Sequence, residues 1–488
     1  MKNLRLCLIP CFALFFQLNI QAQYEIEWGP EIAVSQEGDD NNRPRVVANG
    51  DDVLVMWGKN DGNTILFSKW ENGAFTPAQS MMDSGIHVFT SDWAGPEIDA
   101  RNDIFVVFKA IPEDEKGAYL IKSEDWGETW SDTIRIDQPS EGNDRSRFPN
   151  VAVNFQDNPA ITMMTFEGNF VDPKYVVATS EDGGQTFGPL LNVSTDYFEG
   201  EACDCCTAGI TALATDVYHA YRNNDENIRE IKASHSANWG QTIVDYYSVD
   251  STDTFSNVCF SSGPDIGWDN GLVTVFKATG DFGNRIMISK LNLQNNISTH
   301  HPIDLSPPTT VSQNNPRIAI HDAFSTVVWE EYTSTNSNIL FSMSMFGIEE
   351  IGSQIDTINV EQSGKQINPD IAASYDYVHV VWQDKNSGLV KYRRGTFPPY
   401  SVNEVSKHPN SIVFPNPSTA LATVQAKDQS LIEFIEIHSI RGELVQRTQV
   451  RASTHTLDLS DLSEAVYMLS VHFASGEVEQ HALQHLHD

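Results

Sequence analysis

The stretch Pro96-Glu97-Ile98, then Ile104-Phe105-Val106-Val107-Phe108, then Ser123-Glu124-Asp125-Trp126-Gly127-Glu128-Thr129-Trp130 carries the reading of the fold. A proline step opens a short strand. An unbroken apolar run ending in an aromatic ring follows, which suits a strand buried on both faces. The polar, glycine-containing segment after it is a turn. The proline step recurs at Pro44-Arg45-Val46, Pro149-Asn150-Val151, Pro264-Asp265-Ile266, Pro316-Arg317-Ile318 and Pro369-Asp370-Ile371, and Ala208-Gly209-Ile210 fills the gap with Ala in place of Pro. The aromatic ends recur at Trp57, Phe108, Phe166, Tyr221, Phe276, Trp329 and Trp382, at intervals of 51, 58, 55, 55, 53 and 53 residues. Self-similarity at a period near fifty marks a repeat architecture.

Each copy reads as four short strands. In the first they are expected at 45–48, 53–57, 65–70 and 75–81, separated by Gly, Asn and Asp turns. Four-stranded units of this period are the blades of a β-propeller, so the fold is expected to be all-β. Seven blades is the count, with six as the alternative if one copy is degenerate. The seventh copy stops after its third strand near Thr396. Its missing strand is expected from Trp28-Gly29-Pro30-Glu31-Ile32-Ala33-Val34-Ser35, which parallels the fourth strand Phe187-Gly188-Pro189-Leu190-Leu191-Asn192-Val193-Ser194. Closing the ring this way hides a sheet edge.

The turns Ser123–Trp130 and Ser180-Glu181-Asp182-Gly183-Gly184-Gln185-Thr186-Phe187 share the pattern Ser-x-Asp-x-Gly-x-Thr-aromatic, and Ser236–Ile243 is a weaker copy. This pattern resembles the Asp-box (BNR) repeat of the sialidase-like propellers, and the resemblance spans residues 24–397. Physically the motif is a turn lock: the carboxylate accepts turn N–H groups and Gly supplies positive φ.

The 488 residues include 66 acidic against 31 basic side chains, a formal net charge of −35. The acid excess argues against nucleic-acid binding, which needs clustered Lys and Arg. At the start, Lys2 and Arg5 precede an apolar run from Leu6 to Phe16, so residues 1–22 are expected to be a secretory signal. No later run is long and apolar enough to span a bilayer as a helix. A Pro-rich linker is expected at 398–410. Residues 411–488 resemble the C-terminal sorting domain of the type IX secretion system through Phe414-Pro415-Asn416-Pro417, Ile437-His438-Ser439-Ile440-Arg441-Gly442-Glu443-Leu444-Val445, and Leu457-Asp458-Leu459-Ser460-Asp461-Leu462 leading to Val466-Tyr467. That resemblance implies a Bacteroidota-type host, the type IX machinery as partner, and delivery through the outer membrane to the surface or the medium. A monomer is expected.

Strand one begins on the face where strand two ends, so the residues at those positions converge on one mouth of the channel. They include Arg43, Lys109, Arg147, Glu167, Arg222, Lys277, Arg317 and Glu330. In so acidic a chain this gathering of cations suits an anionic ligand such as an acidic sugar, since Arg forks bind carboxylates bidentately. The opposing reading is that they pair with neighbouring acids between blades. The sialidase resemblance implies three arginines around a substrate carboxylate, for which Arg43, Arg147 and Arg317 are the candidates. It implies an Asp acid/base, for which Asp92 stands, and a Tyr–Glu nucleophile pair, for which Glu331 and Tyr332 stand. Cys203-Asp204-Cys205-Cys206 and Cys259 precede equivalent steps in neighbouring copies, so all four are expected to cluster. Disulfides are the first reading in an exported protein; a thiolate site for copper or zinc is the second. The expected function is recognition of an anionic or glycan ligand at the channel mouth, with an active exo-glycosidase of sialidase type and a structural surface or adhesion protein as alternatives.

Overall fold

The computed structural model describes residues 25–485, apart from 37–39, 61–62, 83–84, 113–116, 138–144, 169, 195–196, 251–254, 258, 281–282, 293–295, 305–310, 322–323, 346, 399–410, 417, 427–429, 440–443, 461, 464 and 475–477. The expected signal segment and nearly all of the expected linker lie outside the described residues. The chain is a β-propeller followed by a small β-sandwich. Among the described residues, strands between Glu27 and Thr396 form seven antiparallel sheets. Their innermost strands are Asn41–Asn49, Glu97–Ala100, Arg145–Val153, Gly209–Ala212, Asp265–Trp268, Ser312–His321 and Gln366–Ala373. Each inner strand packs on that of the next blade, and the seventh packs on the first, so the sheets close into a ring.

Burial explains the apolar runs. Strand two of each blade has sheets on both sides, and Trp57, Phe108, Phe166, Tyr221, Phe276, Trp329 and Trp382 are all buried. Separate apolar clusters fill the interfaces between successive blades. One joins Leu54, Met56 and Phe67 to Ile98, Val106 and Phe108, and another joins Val46, Val55 and Trp57 to Val381 and Tyr392 across the ring closure.

In four of the blades the proline step is a β-bulge. Register shifts between Asn42 and Arg45, Arg147 and Asn150, Asn314 and Arg317, and Ile367 and Asp370. Proline cannot donate to the ladder, so an extra residue is accommodated just there. The residue before it takes a left-handed backbone: φ is +44° at Arg43, +54° at Phe148, +47° at Asn315 and +54° at Asn368. Asn tolerates this conformation; for Arg and Phe it costs roughly 1–2 kcal/mol each. Acids that follow the proline step latch neighbouring blades. Asp370 Oδ2 accepts Val46 N–H at 2.9 Å, Asp265 Oδ2 accepts Ile318 N–H at 2.9 Å, and Asp99 Oδ2 accepts Val153 N–H at 2.7 Å.

The third-to-fourth strand turns are locked locally. Asp125 accepts Thr129 N–H at 2.8 Å and Thr129 Oγ1–H at 2.7 Å, and Asp182 repeats the arrangement with Thr186. Asn238 plays the same part with Thr242. Hydrogen bonds from the Thr129 N–H and hydroxyl hold the Asp125 carboxyl down to about 2. These acids serve their own turns.

Residues Ser411–His485 form a three-stranded and a four-stranded sheet around a separate core that includes Val424, Ile435, Leu457, Leu469 and Leu483.

The last blade is completed from the N-terminus. Glu27 pairs with Thr396, Trp28 with Gly395, Ile32 with Tyr392 and Ala33 with Lys391. Trp28 Nε1 donates to Asp356 Oδ2 at 3.0 Å, and its ring meets Phe341 edge-on at 5.0 Å. Trp28→Ala is therefore expected to cost about 3 kcal/mol in equilibrium unfolding; a loss under about 0.5 kcal/mol would show that the closing strand does not hold the ring.

Candidate functional site

At the end where the inner strands begin, the arginines converge on protein carboxylates. Glu97 sits at the centre. Arg45 approaches it bidentately, Nε to Oε2 at 2.6 Å and Nη2 to Oε1 at 2.9 Å. Arg43 Nη2 lies 2.8 Å from Oε1, and Arg317 Nη2 lies 3.4 Å from Oε2. Arg317 Nε also reaches Asp370 Oδ1 at 2.7 Å and Asp265 Oδ2 at 3.5 Å. Three guanidinium groups thus face Glu97, Asp265 and Asp370, a balanced set. Burial alone would raise the Glu97 pKa, but Arg45, Arg317 and Arg43 outweigh it and hold the carboxyl far below its usual range. Arg43 is itself lowered to about 10, chiefly by burial and then by Arg45.

The other mouth candidates, Glu167 apart, are also engaged within the fold. The Arg147 guanidinium lies over Phe170, Phe148 and Phe166, at 4.3, 5.0 and 5.7 Å. Lys109 is buried and borders a void of only about 10 Å³ with Arg147. Arg222 donates to the carbonyls of Arg229 at 2.9 Å and Lys277 at 2.6 Å. Lys277 Nζ donates to Phe260 O at 2.8 Å and Asn314 Oδ1 at 2.6 Å, and burial followed by Arg222 lowers it to about 8. Glu330 accepts Asn315 Nδ2–H at 2.7 Å and the Asn368 N–H, and burial raises its pKa. Glu167 is exposed at the end of its strand. The cavity at this end, bordered by Arg43, Arg45, Trp93, Ser262, Asn315 and Asn368, measures about 30 Å³, the room of a water or two.

The catalytic candidates do not assemble. Asp92 is half-exposed and ion-paired with Lys385 at 2.8 Å. Glu331 accepts from Gln313 Nε2 at 3.4 Å. Glu331 and Tyr332 are successive residues of one strand, so their side chains leave opposite faces of the sheet. Among the described residues no hydrogen bond or ion pair joins Asp92, Glu331 and Tyr332.

At the opposite end the channel opens into a cavity of about 810 Å³, walled by all seven inner strands and their turns. Trp268, Phe155 and His321 bring rings to it, and Asn270, Asp269 and Arg101 bring polar groups. Deeper in lie Asp99, Asp265 and Asp370, the last two paired with Arg317. None of these was singled out as a site residue from sequence except Arg317, which forms part of the inner wall.

The four cysteines do gather. Cys205 and Cys259 are disulfide-bonded, and Cys203 and Cys206 are buried free thiols. Cys203 Sγ lies 3.3 Å from Cys206 Sγ and 3.4 Å from Cys205 Sγ. The hydrogen bond with Cys203 lowers the Cys206 thiol against burial, helped by Arg222, Lys277 and Arg229. Arg229, whose Nη1 donates to Cys203 Sγ at 2.8 Å, carried no periodic or motif signal in the sequence.

Residues 412–483 match the family model of the secretion system C-terminal sorting domain. The protein is accordingly exported, to the cell surface or the medium. Among the described residues no helix is long and apolar enough to cross a membrane. No curated protein matches the chain by sequence. Among solved structures, it is similar to an ulvan lyase of polysaccharide lyase family PL25, at 10% identity and TM-score 0.45 over 74% of this chain and 95% of that one. It is also similar to the Trypanosoma rangeli sialidase, at 10% identity and TM-score 0.43 over 91% of this chain and 84% of that one. A Hadza microbial sialidase gives 12% identity and TM-score 0.42 over 72% and 74%.

Asp99 supplies a pH test of the channel. Burial raises its pKa to about 6, opposed by the N–H groups of Val153 and Ala100. The folded state therefore holds this proton more tightly than the unfolded chain. Its contribution is fully present below about pH 4 and is lost as pH rises through about 6. Relative to the parent, Asp99→Asn should gain on the order of 2 kcal/mol between pH 4 and pH 8 in urea unfolding. Parallel profiles would contradict the assignment.

Proposed function

We propose that this chain is an exported carbohydrate-recognising propeller without sialidase chemistry, and that the glycan docks in the open end of the channel. The observation that carries this reading is the division of the channel's two ends. At one, the cations are consumed by Glu97, Asp265 and Asp370, leaving about 30 Å³. At the other, about 810 Å³ is lined by aromatic rings and planar polar groups, the mixture that holds and orients a sugar. Asp99, which among the described residues has no ion-pair partner, brings a carboxylate to that wall and favours a neutral glycan over an anionic one. The sorting domain supports the reading from the other side: a binding module delivered outside the cell meets polysaccharide there.

The mature full-length protein should show no turnover of a fluorogenic sialoside above background. Neutral oligosaccharides on a glycan array should be retained, and isothermal titration with the best of them should show at least tenfold weaker binding for Trp268→Ala. Sialoside turnover abolished by Asp92→Asn would replace recognition with catalysis. Absence of binding to every neutral glycan on the array would leave the structural surface-protein reading in its place.

A further inference from the structure

We propose that Cys203, Cys205, Cys206 and Cys259 are the ligands of one thiolate-seeking metal ion, of the zinc(II) or copper(I) class, at the junction of the fourth and fifth blades. Their four Sγ atoms all lie within 4.8 Å of one another. A tetrahedron with metal–sulfur bonds of about 2.3 Å has edges of roughly 3.8 Å. Cys203, Cys205 and Cys206 stand close to it with contacts of 3.3 and 3.4 Å, and Cys205 and Cys259, disulfide-bonded here, reach it once that bond is reduced and the two sulfurs part. The local chain is built for this. A turn at 204–205, closed by Cys206 N–H to Cys203 O at 3.3 Å, brings three sulfurs together, and the loop entering the fifth blade brings the fourth.

Donors aimed at the sulfurs point the same way. Arg229 Nη1–H reaches Cys203 Sγ at 2.8 Å, and Ser261 N–H reaches Cys259 Sγ at 3.2 Å. Bonds of this kind orient and tune metal-bound ligands.

Charge separates the metal reading from full oxidation. Arg222, Arg229 and Lys277 are all buried. Arg222 and Lys277 lie over the Phe260 ring, at 4.4 and 5.3 Å, and Phe260 packs against Cys203 and Cys206. Besides the Cys203 sulfur, the hydrogen bonds of these cations go to carbonyls and to Asn314. Among the described residues none has a carboxylate in ion-pair range. Buried cations without a counter-anion are costly. Two disulfides would leave all three in that state. Four thiolates around a divalent ion carry a net charge of −2, and around a monovalent ion −3, which offsets them.

Binding needs no redox step. Each thiol of the reduced chain releases its proton to water as its metal–sulfur bond forms, and ligation withholds the sulfurs from pairing. The Cys205–Cys259 disulfide forms when the metal-free thiols give two protons and two electrons to an external oxidant of the disulfide class, and a dithiol reductant returns both to the ligand state. With Cys203 and Cys206 almost wholly buried, the site has the closed character of a structural metal centre. It clamps the fourth blade, the copy in which Ala208 replaces the proline of the step.

The test uses the full-length protein as exported, and the same chain prepared reduced and metal-free. Elemental analysis of the exported protein should find one zinc or copper per chain, with four thiols that react only after denaturation in chelator. Cobalt(II) added to the reduced chain should give thiolate-to-metal charge-transfer absorption that saturates at one equivalent and is displaced by zinc(II). Cys206→Ser should abolish that band. Arg229→Gln, which keeps all four sulfurs, should bind cobalt about tenfold more weakly while retaining the parent β-sheet circular dichroism. Exported protein carrying Cys203–Cys206 and Cys205–Cys259 cross-links and no metal would overturn the proposal, as would a folded, reduced chain showing no charge-transfer band.

Discussion

A single buried carboxylate, Glu97, organises the closed end of this propeller. It takes Arg43 and Arg45 from the first blade and Arg317 from the sixth, while it belongs to the second. Asp265 and Asp370 then complete the neutralisation of Arg317 from the fifth and seventh. Residues of five blades therefore meet in one ion cluster across the channel. A charge removed from it leaves its partner buried and unpaired, the most damaging outcome an ion pair can have. Guanidinium groups already bound to Glu97 cannot serve as a carboxylate clamp.

Around this hub the ring is held by repeated local devices. In four blades a bulge at the proline turns the inner strand, and acids that follow the proline step cross to the next blade's backbone. Apolar clusters between blades supply the bulk of the burial. The N-terminal strand pairs with the last sheet and removes its open edge. Left-handed backbone at Arg43 and Phe148 is tolerated because the surrounding contacts outweigh its cost.

The propeller was legible because its periodicity is written in apolar residues and prolines, whose roles depend little on distant partners. Trp57, Phe108 and Trp382 mark buried strands wherever they stand, and the Trp28–Ser35 segment announced its pairing by matching 187–194. The Ser-x-Asp-x-Gly-x-Thr turns were legible for the same reason. The site was harder, because its charges are decided across the ring. The clue lay in one register position: the residue after each proline is Arg45, Glu97, Asn150, Asp265, Arg317 and Asp370 in turn. Opposite charges at equivalent places around a ring meet at its axis. Taken one arginine at a time, that complementarity is invisible. Arg222 and Arg229 were opaque for another reason, since their sulfur and carbonyl partners come from segments with no shared pattern.

The thiol cluster and the Glu97 cluster answer one constraint in two ways. Both gather buried cations, around carboxylates from neighbouring blades in one place and around sulfur in the other. The claim on which the account rests is that the mouth arginines are structural partners of Glu97. A double-mutant cycle on Arg45 and Glu97, using Arg45→Met, Glu97→Gln and the pair, measures it most directly by equilibrium unfolding at pH 7. Each single change should cost about 3–5 kcal/mol, and the pair should cost less than the two together by about 2–3 kcal/mol. Additive losses, with a coupling under about 0.5 kcal/mol, would contradict it and return the arginines to the search for a ligand.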